Sequence, residues 1–224
     1  MNFSLLKRNL VLKFDLIIFD CDGVLVDSEP ISNRVFADLV NTLGAGISYE
    51  ESKTLFTGRS DSDCKKILED RIGKKAPDNL FDEFDKLSFA AYEKDLNPVI
   101  NIHKVVDLLE KKSICVASNA PKKKIHKVLS LVGLDDKFGE QIFCSDDVKR
   151  PKPYPDLFLH AAVSMNCDPV NCAVIEDSIY GARAGIAAGM TVFGYSERTD
   201  SDKLKAEGCI TFNKMDQLIE LLDL

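Results

Sequence analysis

The chain has 224 residues, a formal charge of −7 at pH 7 and 45% hydrophobic against 29% charged residues, with a pI near 5.1. This is a globular composition, long enough for one sizeable domain or for a core carrying an insertion. Its acidity argues against nucleic acid or an anionic membrane as a general partner, while a local positive pocket could still take a phosphorylated small molecule.

At the N-terminus Lys7-Arg8 precedes Leu10-Val11-Leu12, but Lys13 and Asp15 break the apolar run and no small-residue cleavage site follows, so a secretion signal is not expected. Seven cysteines, an odd number without a Cys-x-x-Cys pair, several inside apolar runs, read as reduced, buried thiols of a cytoplasmic protein.

The first strong element spans 14–19, where the run Leu16-Ile17-Ile18-Phe19 reads as a buried parallel strand and ends abruptly in Asp20-Cys21-Asp22-Gly23. Ligands bind at the carboxyl ends of such strands. Side chains alternate along a strand, so Asp20 and Asp22 lean to one side, where one carboxylate can attack and the other can move protons. The ordinary reading of Asp-x-Asp-Gly is a solvated turn. Cys21 should point to the opposite face and pack.

Between Asp27 and Pro98 no strand is expected. Helical periodicity occupies Val35-Phe36-Leu39-Val40-Leu43, Cys64-Ile67-Leu68-Ile72 and the stretch from Leu80 to Tyr92. Gly44-Ala45-Gly46 stops the first helix, Ser60 or Asp61 can cap the next, and Gly73 and Pro77 separate it from the last. Residues 28–97 therefore read as an inserted helical domain that can swing over the first motif.

Strand-like runs then recur at 113–118, 141–144, 172–176, 190–194 and 209–212 with helical patterns between them, the alternation of a doubly wound parallel sheet. The α/β core is assigned to 14–27 and 98–224. Ser118 ends one of its strands, and its hydroxyl with the following amides can hold a phosphoryl oxygen, or simply cap the helix ahead of Pro121. Lys152 lies among Pro151, Pro153 and Pro155, a stiff setting that presets its charge, although a lone lysine is usually solvated. Glu176-Asp177 ends another strand, as a helix-capping pair or as metal ligands. Gly181, Gly185 and Gly189 recur every four residues, which suits close packing on one helix face and not a Gly-x-Gly-x-x-Gly dinucleotide turn. His160 reads as a helix-face residue.

The ordered fragments Asp20-Cys21-Asp22-Gly23, Ala117-Ser118-Asn119, Pro151-Lys152-Pro153 and Val174-Ile175-Glu176-Asp177-Ser178 resemble the four motifs of the haloacid dehalogenase superfamily, in its phosphatase and phosphoglucomutase branch. The resemblance implies a Rossmann-like core with a helical cap, and an aspartyl-phosphate formed on Asp20 with Asp22 as acid and base. It implies phosphate binding by Ser118, Asn119 and Lys152. Four clustered acids beside a phosphate require a cation, since each close pair costs about 4 kcal/mol at an effective dielectric of 20. Oxygen-only donors favour Mg²⁺. By resemblance Asp20 and Asp177 bind it through side chains, Glu176 directly or through water, and Asp22 through its main-chain carbonyl. Thr57-Gly58-Arg59-Ser60 resembles the substrate-specificity loop, with Arg59 on a second anionic group. One variation is Pro151 where the motif commonly has glycine.

The stretch from Lys152 to Phe193 is similar to bacterial sugar-phosphate phosphatases acting on 6-phosphogluconate. The expected function is thus Mg²⁺-dependent hydrolysis of small phosphorylated metabolites by a cytoplasmic monomer. Two alternatives stand beside it, a β-phosphoglucomutase-type mutase and a catalytically idle binding protein. In the mutase pattern a histidine lies twelve residues after the nucleophile, and that position here is Ser32.

Overall fold

The computed structural model describes residues 14–56, 59 and 61–224. The Lys7–Leu12 stretch, and Thr57, Gly58 and Ser60 of the expected specificity loop, lie outside the described residues.

Leu16–Phe19 forms β1, buried at every position. Such a strand has to be central, because only neighbours on both edges and helices on both faces can cover four consecutive apolar residues. It pairs in parallel with β2 (Ser113–Ser118), Phe19 opposite Val116, and with β4 (Cys172–Glu176), Phe19 opposite Ile175. Outside these lie β3 (Ile142–Cys144), β5 (Thr191–Tyr195) and β6 (Ile210–Phe212), giving the order β3-β2-β1-β4-β5-β6. The chain winds one way from β1 to β3 and the other way from β4 to β6. Asp20 therefore follows a strand at the topological switch, where the loops diverge and leave a crevice.

The chain divides into two compact units, with breaks at Val26/Asp27 and Asn97/Pro98. The unit Asp27–Asn97 holds α1 (Glu29–Thr42), α2 (Tyr49–Phe56), α3 (Asp61–Ile72) and α4 (Leu80–Asp95). Its core is built on Phe36, whose ring meets Phe56 edge-on at 4.9 Å and Phe84 at 5.0 Å and stacks on Phe81 at 6.2 Å. Val40, Cys64, Leu68 and Leu80 complete it. Three of the four helices match the sequence periodicity. The fourth, α2, was not expected; a reciprocal Ser48–Glu51 capping box starts it, with Ser48 N–H on Glu51 Oε2 at 2.9 Å and Glu51 N–H on Ser48 Oγ at 3.2 Å.

The sheet unit carries α5 (Ile102–Leu108), α6 (Lys122–Leu131), α7 (Asp135–Phe138), α8 (Asp156–Ser164), α9 (Ile179–Ala187), α10 (Ser201–Ala206) and α11 (Gln217–Leu221). Alternate strand residues Leu16, Ile18, Cys115, Ala117, Cys172 and Val174 face Leu157, Phe158, Ala161 and Ala182 of α8 and α9. Truncating a fully buried ring such as Phe158 to alanine costs about 3–5 kcal/mol. Among the described residues no helix is long and apolar enough to cross a membrane.

Candidate active site

Four loops leave the carboxyl ends of β1, β2, β3 and β4, and they supply the polar residues of the site. Asp20 is buried directly after β1 and anchored by its N–H on Ile175 O at 2.9 Å. Lys152 reaches it from the β3–α8 loop, with Nζ 2.7 Å from Asp20 Oδ1 and 2.7 Å from Glu176 Oε1. The lysine side chain is only 3% exposed and lies over the Phe158 ring at 4.7 Å. Carboxylate oxygens of Asp20, Glu176 and Asp177 approach within 4.8 Å of one another, all three residues being buried.

A single ammonium leaves this cluster with two surplus negative charges when every acid is ionised. The titration behaviour follows. Burial pushes the Asp20 carboxyl up to about 7; Lys152 opposes the rise, and Glu176 and Asp22 add to it. Burial also works against the Lys152 charge, but Asp20 and Glu176 outweigh it and hold the ammonium above its ordinary range. A proton retained on Asp20 is what such a cluster does in place of binding a cation. Buried, oxygen-only donors of surplus negative charge fit a hard divalent ion, and Asp20, Glu176 and Asp177 are the residues that could hold it.

Two close approaches explain the glycines here. A Cβ on Gly23, which stands at φ +82°, would lie 2.1 Å from Asp177 Oδ2. A Cβ on Gly181 would lie 1.7 Å from Glu176 Oε1. Glu176 needs that space because both its oxygens are engaged: Oε1 accepts from Lys152, while Oε2 accepts from Ser178 N–H at 2.8 Å and Ser178 Oγ at 2.9 Å. Gly185 likewise admits Val192, whose Cγ2 would be 2.6 Å from a Cβ. Gly189 departs from the expected packing stripe, since it lies past the end of α9 at φ +76° with no atom near its Cβ direction.

Ser118 is buried at the end of β2, and its Oγ accepts from Ala120 N–H at 3.2 Å. It closes a turn. The alternative reading of Ser118 as a helix cap is not realised: α6 starts at Lys122 with Pro121 in the cap position and no side chain capping it. Asn119 clamps the lysine loop, donating from Nδ2 to Lys152 O at 3.0 Å and accepting Lys152 N–H on Oδ1 at 3.0 Å. Asp22 sits in the turn after β1, fixed by Gly23 N–H on Val26 O at 2.8 Å, and its Oδ2 accepts from Lys124 Nζ at 2.9 Å.

The haloacid dehalogenase-like hydrolase model matches residues 14–189. The chain belongs to this family. Over 210 residues the hydrolase is 28% identical to 6-phosphogluconate phosphatase of Escherichia coli K12, spanning 93% of this chain and 95% of that one. It superposes with TM-score 0.82 and 32% identity on a haloacid dehalogenase-like protein of unknown function from Agrobacterium tumefaciens, over 94% and 98% of the two chains. A family hydrolase from Deinococcus radiodurans, solved with bound phosphate and sodium, gives TM-score 0.81 at 27% identity, over 95% and 96%.

In the hydrolase, Asp20, Lys152, Glu176 and Asp177 form one cluster, and Asp22, Ser118 and Asn119 border it on adjoining loops. Cys21 is 1% exposed, and burial, then Asp22 and Asp20, push its thiol far up, so it packs as expected. His160 lies on α8 edge-on to Phe143 at 5.5 Å. Arg59 belongs to the Asp27–Asn97 unit, where it is exposed. With Ser32, Asn33, Asp61 and Phe84 among its neighbours, it lines a cavity of about 140 Å³. Ser32 Oγ in turn hydrogen-bonds the Tyr92 hydroxyl. Sequence reasoning missed Lys124 and the clamping role of Asn119. For Lys124 a signal existed in the run Lys122-Lys123-Lys124 directly after the Ser118 motif.

Proposed function

We propose that the chain is a Mg²⁺-dependent phosphatase of small phosphorylated metabolites, sugar phosphates such as 6-phosphogluconate among them, acting through an aspartyl-phosphate on Asp20. The observation that carries this reading is the Asp20 carboxylate held 2.7 Å from a buried ammonium, beside two further buried acids. Likeness over nearly the full length of a 6-phosphogluconate phosphatase supports the substrate class.

An Asp20 oxygen attacks phosphorus as the ester P–O bond breaks, and Asp22 gives its proton to the departing alkoxide. Asp22 then takes a proton from water, whose oxygen attacks phosphorus, releasing phosphate and restoring the Asp20 carboxylate. Lys152 neutralises charge on the phosphoryl oxygens, which Ser118 Oγ and the amides after it orient. Glu176 positions Lys152. Mg²⁺, held by Asp20 and Asp177 with Glu176 and the Asp22 carbonyl in support, would offset the surplus negative charge that otherwise repels a phosphate dianion.

The test is acid quench during turnover followed by borohydride, which converts a phosphorylated aspartate to homoserine. Homoserine at position 20, dependent on added Mg²⁺ and absent from Asp20→Asn, is expected. Turnover without any modified Asp20 would point to direct attack by water.

A further inference from the structure

We infer that Lys124, which the proposed mechanism does not use, is a positioning residue that sets the orientation of the Asp22 carboxyl for proton transfer. The inference rests on the phosphatase reading, in which Asp22 is the acid and base.

The ion pair joins groups 102 positions apart in the chain, Lys124 Nζ to Asp22 Oδ2 at 2.9 Å, with the two side chains 25% and 26% exposed. The Asp22 backbone is already fixed by the Gly23–Val26 hydrogen bond and by a bridge between Asp22 and Val26. What is left to set is side-chain rotation, for which a short carboxylate at a strand end has several staggered choices. An ammonium only donates, so Lys124 holds Oδ2 as an acceptor and with it the rotation of the carboxyl group.

The location of Lys124 supports a functional cause over a purely structural one. Lys122, Lys123 and Lys124 open α6, whose first turn contains no acidic residue. Cations at a helix N-terminus oppose the macrodipole and disfavour the helix. Of the three, Lys122 and Lys123 are exposed and Lys124 alone is half-buried, turned toward Asp22. A helix that accepts an unfavourable charge at its start, and aims it at the acid-base group of another loop, is organised around that group.

The two esters p-nitrophenyl phosphate and phenyl phosphate separate this role from phosphoryl binding. Nitrophenolate leaves without help, whereas phenolate needs a proton. Misplacing a proton donor by about 1 Å costs on the order of 100-fold. Lys124→Met should therefore lower kcat/KM for phenyl phosphate roughly 10- to 100-fold, and for p-nitrophenyl phosphate by less than about threefold. Lys124→Arg should recover most of the loss. In an Asp22→Asn background Lys124→Met should cost nothing further, because the group it positions has lost its proton. Equal losses on both esters, additivity with Asp22→Asn, or no loss on either would overturn the inference. A wild type inert toward both esters with Mg²⁺ present would overturn the phosphatase reading first, and this role with it.

Discussion

Replacing Gly181 with alanine opposes two physical effects of known sign. Gly181 lies inside α9, where alanine is favoured over glycine by about 1 kcal/mol on helix propensity alone. Its Cβ, however, would stand 1.7 Å from Glu176 Oε1 and 1.9 Å from Cδ. A glutamate end is normally easy to displace. This one is 1% exposed and makes three charge-assisted hydrogen bonds, to Lys152 and twice to Ser178. Moving it disrupts a buried ion pair, for which loss of a partner costs about 3–5 kcal/mol. Allowing partial re-pairing and the propensity gain, the net destabilisation is about 2–4 kcal/mol, a fall in Tm on the order of 5–15 °C for a protein of this size. Thermal unfolding in EDTA reads it. The same substitution in a Glu176→Ala background should change sign and stabilise by up to about 1 kcal/mol, because the obstructing carboxylate is gone. A Gly181→Ala protein that melts at or above the wild type would refute the steric argument, as would a loss that persists without the Glu176 side chain.

Three further outcomes are expected. Between the ordinary Asp value of 3.8 and about pH 7, folded metal-free protein retains on Asp20 a proton that the unfolded chain has shed, so this group's contribution to stability is full below that window and falls as pH rises through it. Mg²⁺ bound as proposed would displace the same proton, so the rise in Tm on adding Mg²⁺ should be larger at pH 8 than at pH 6 in wild type, and Asp20→Asn should remove the difference. Cys21→Ala should leave kcat/KM within about threefold of wild type, since a packed thiol held in its neutral form takes no part in the chemistry; a collapse of turnover with an unchanged melting curve would contradict its assignment. With β-glucose 1-phosphate and a trace of the 1,6-bisphosphate, free phosphate should form much faster than glucose 6-phosphate, because Ser32 stands where the mutase pattern has a histidine, and accumulation of glucose 6-phosphate would favour the mutase.

The parallel sheet was legible because each strand is an apolar run too short for anything else, and because the acids stand immediately after two of them. The elements that were not legible depend on partners distant in sequence. Asn119 looks like a phosphate-loop residue until Lys152 is folded against it, 33 positions later. Gly181 shows a packing stripe in the sequence, but that the packed object is a carboxylate emerges only with β4 and α9 in place. Helix α2 escaped a reading based on periodicity since eight residues, only two of them buried, carry little of it; the Ser48-x-x-Glu51 box would have located its start. The alternative of a Ser118 cap is not realised, as Pro121 takes the cap position of α6 and the serine accepts from Ala120.

The clamp between Asn119 and the main chain of Lys152 has a consequence for entropy. It fastens the loop that would receive phosphate to the loop that supplies the countercharge, through two hydrogen bonds of 3.0 Å. Were those loops independent, each encounter with a substrate would have to restrict their relative motion and forfeit binding free energy to do so. Joined by one amide, they lose that freedom once, when the chain folds, so that a phosphate arriving there would meet an ammonium already in place.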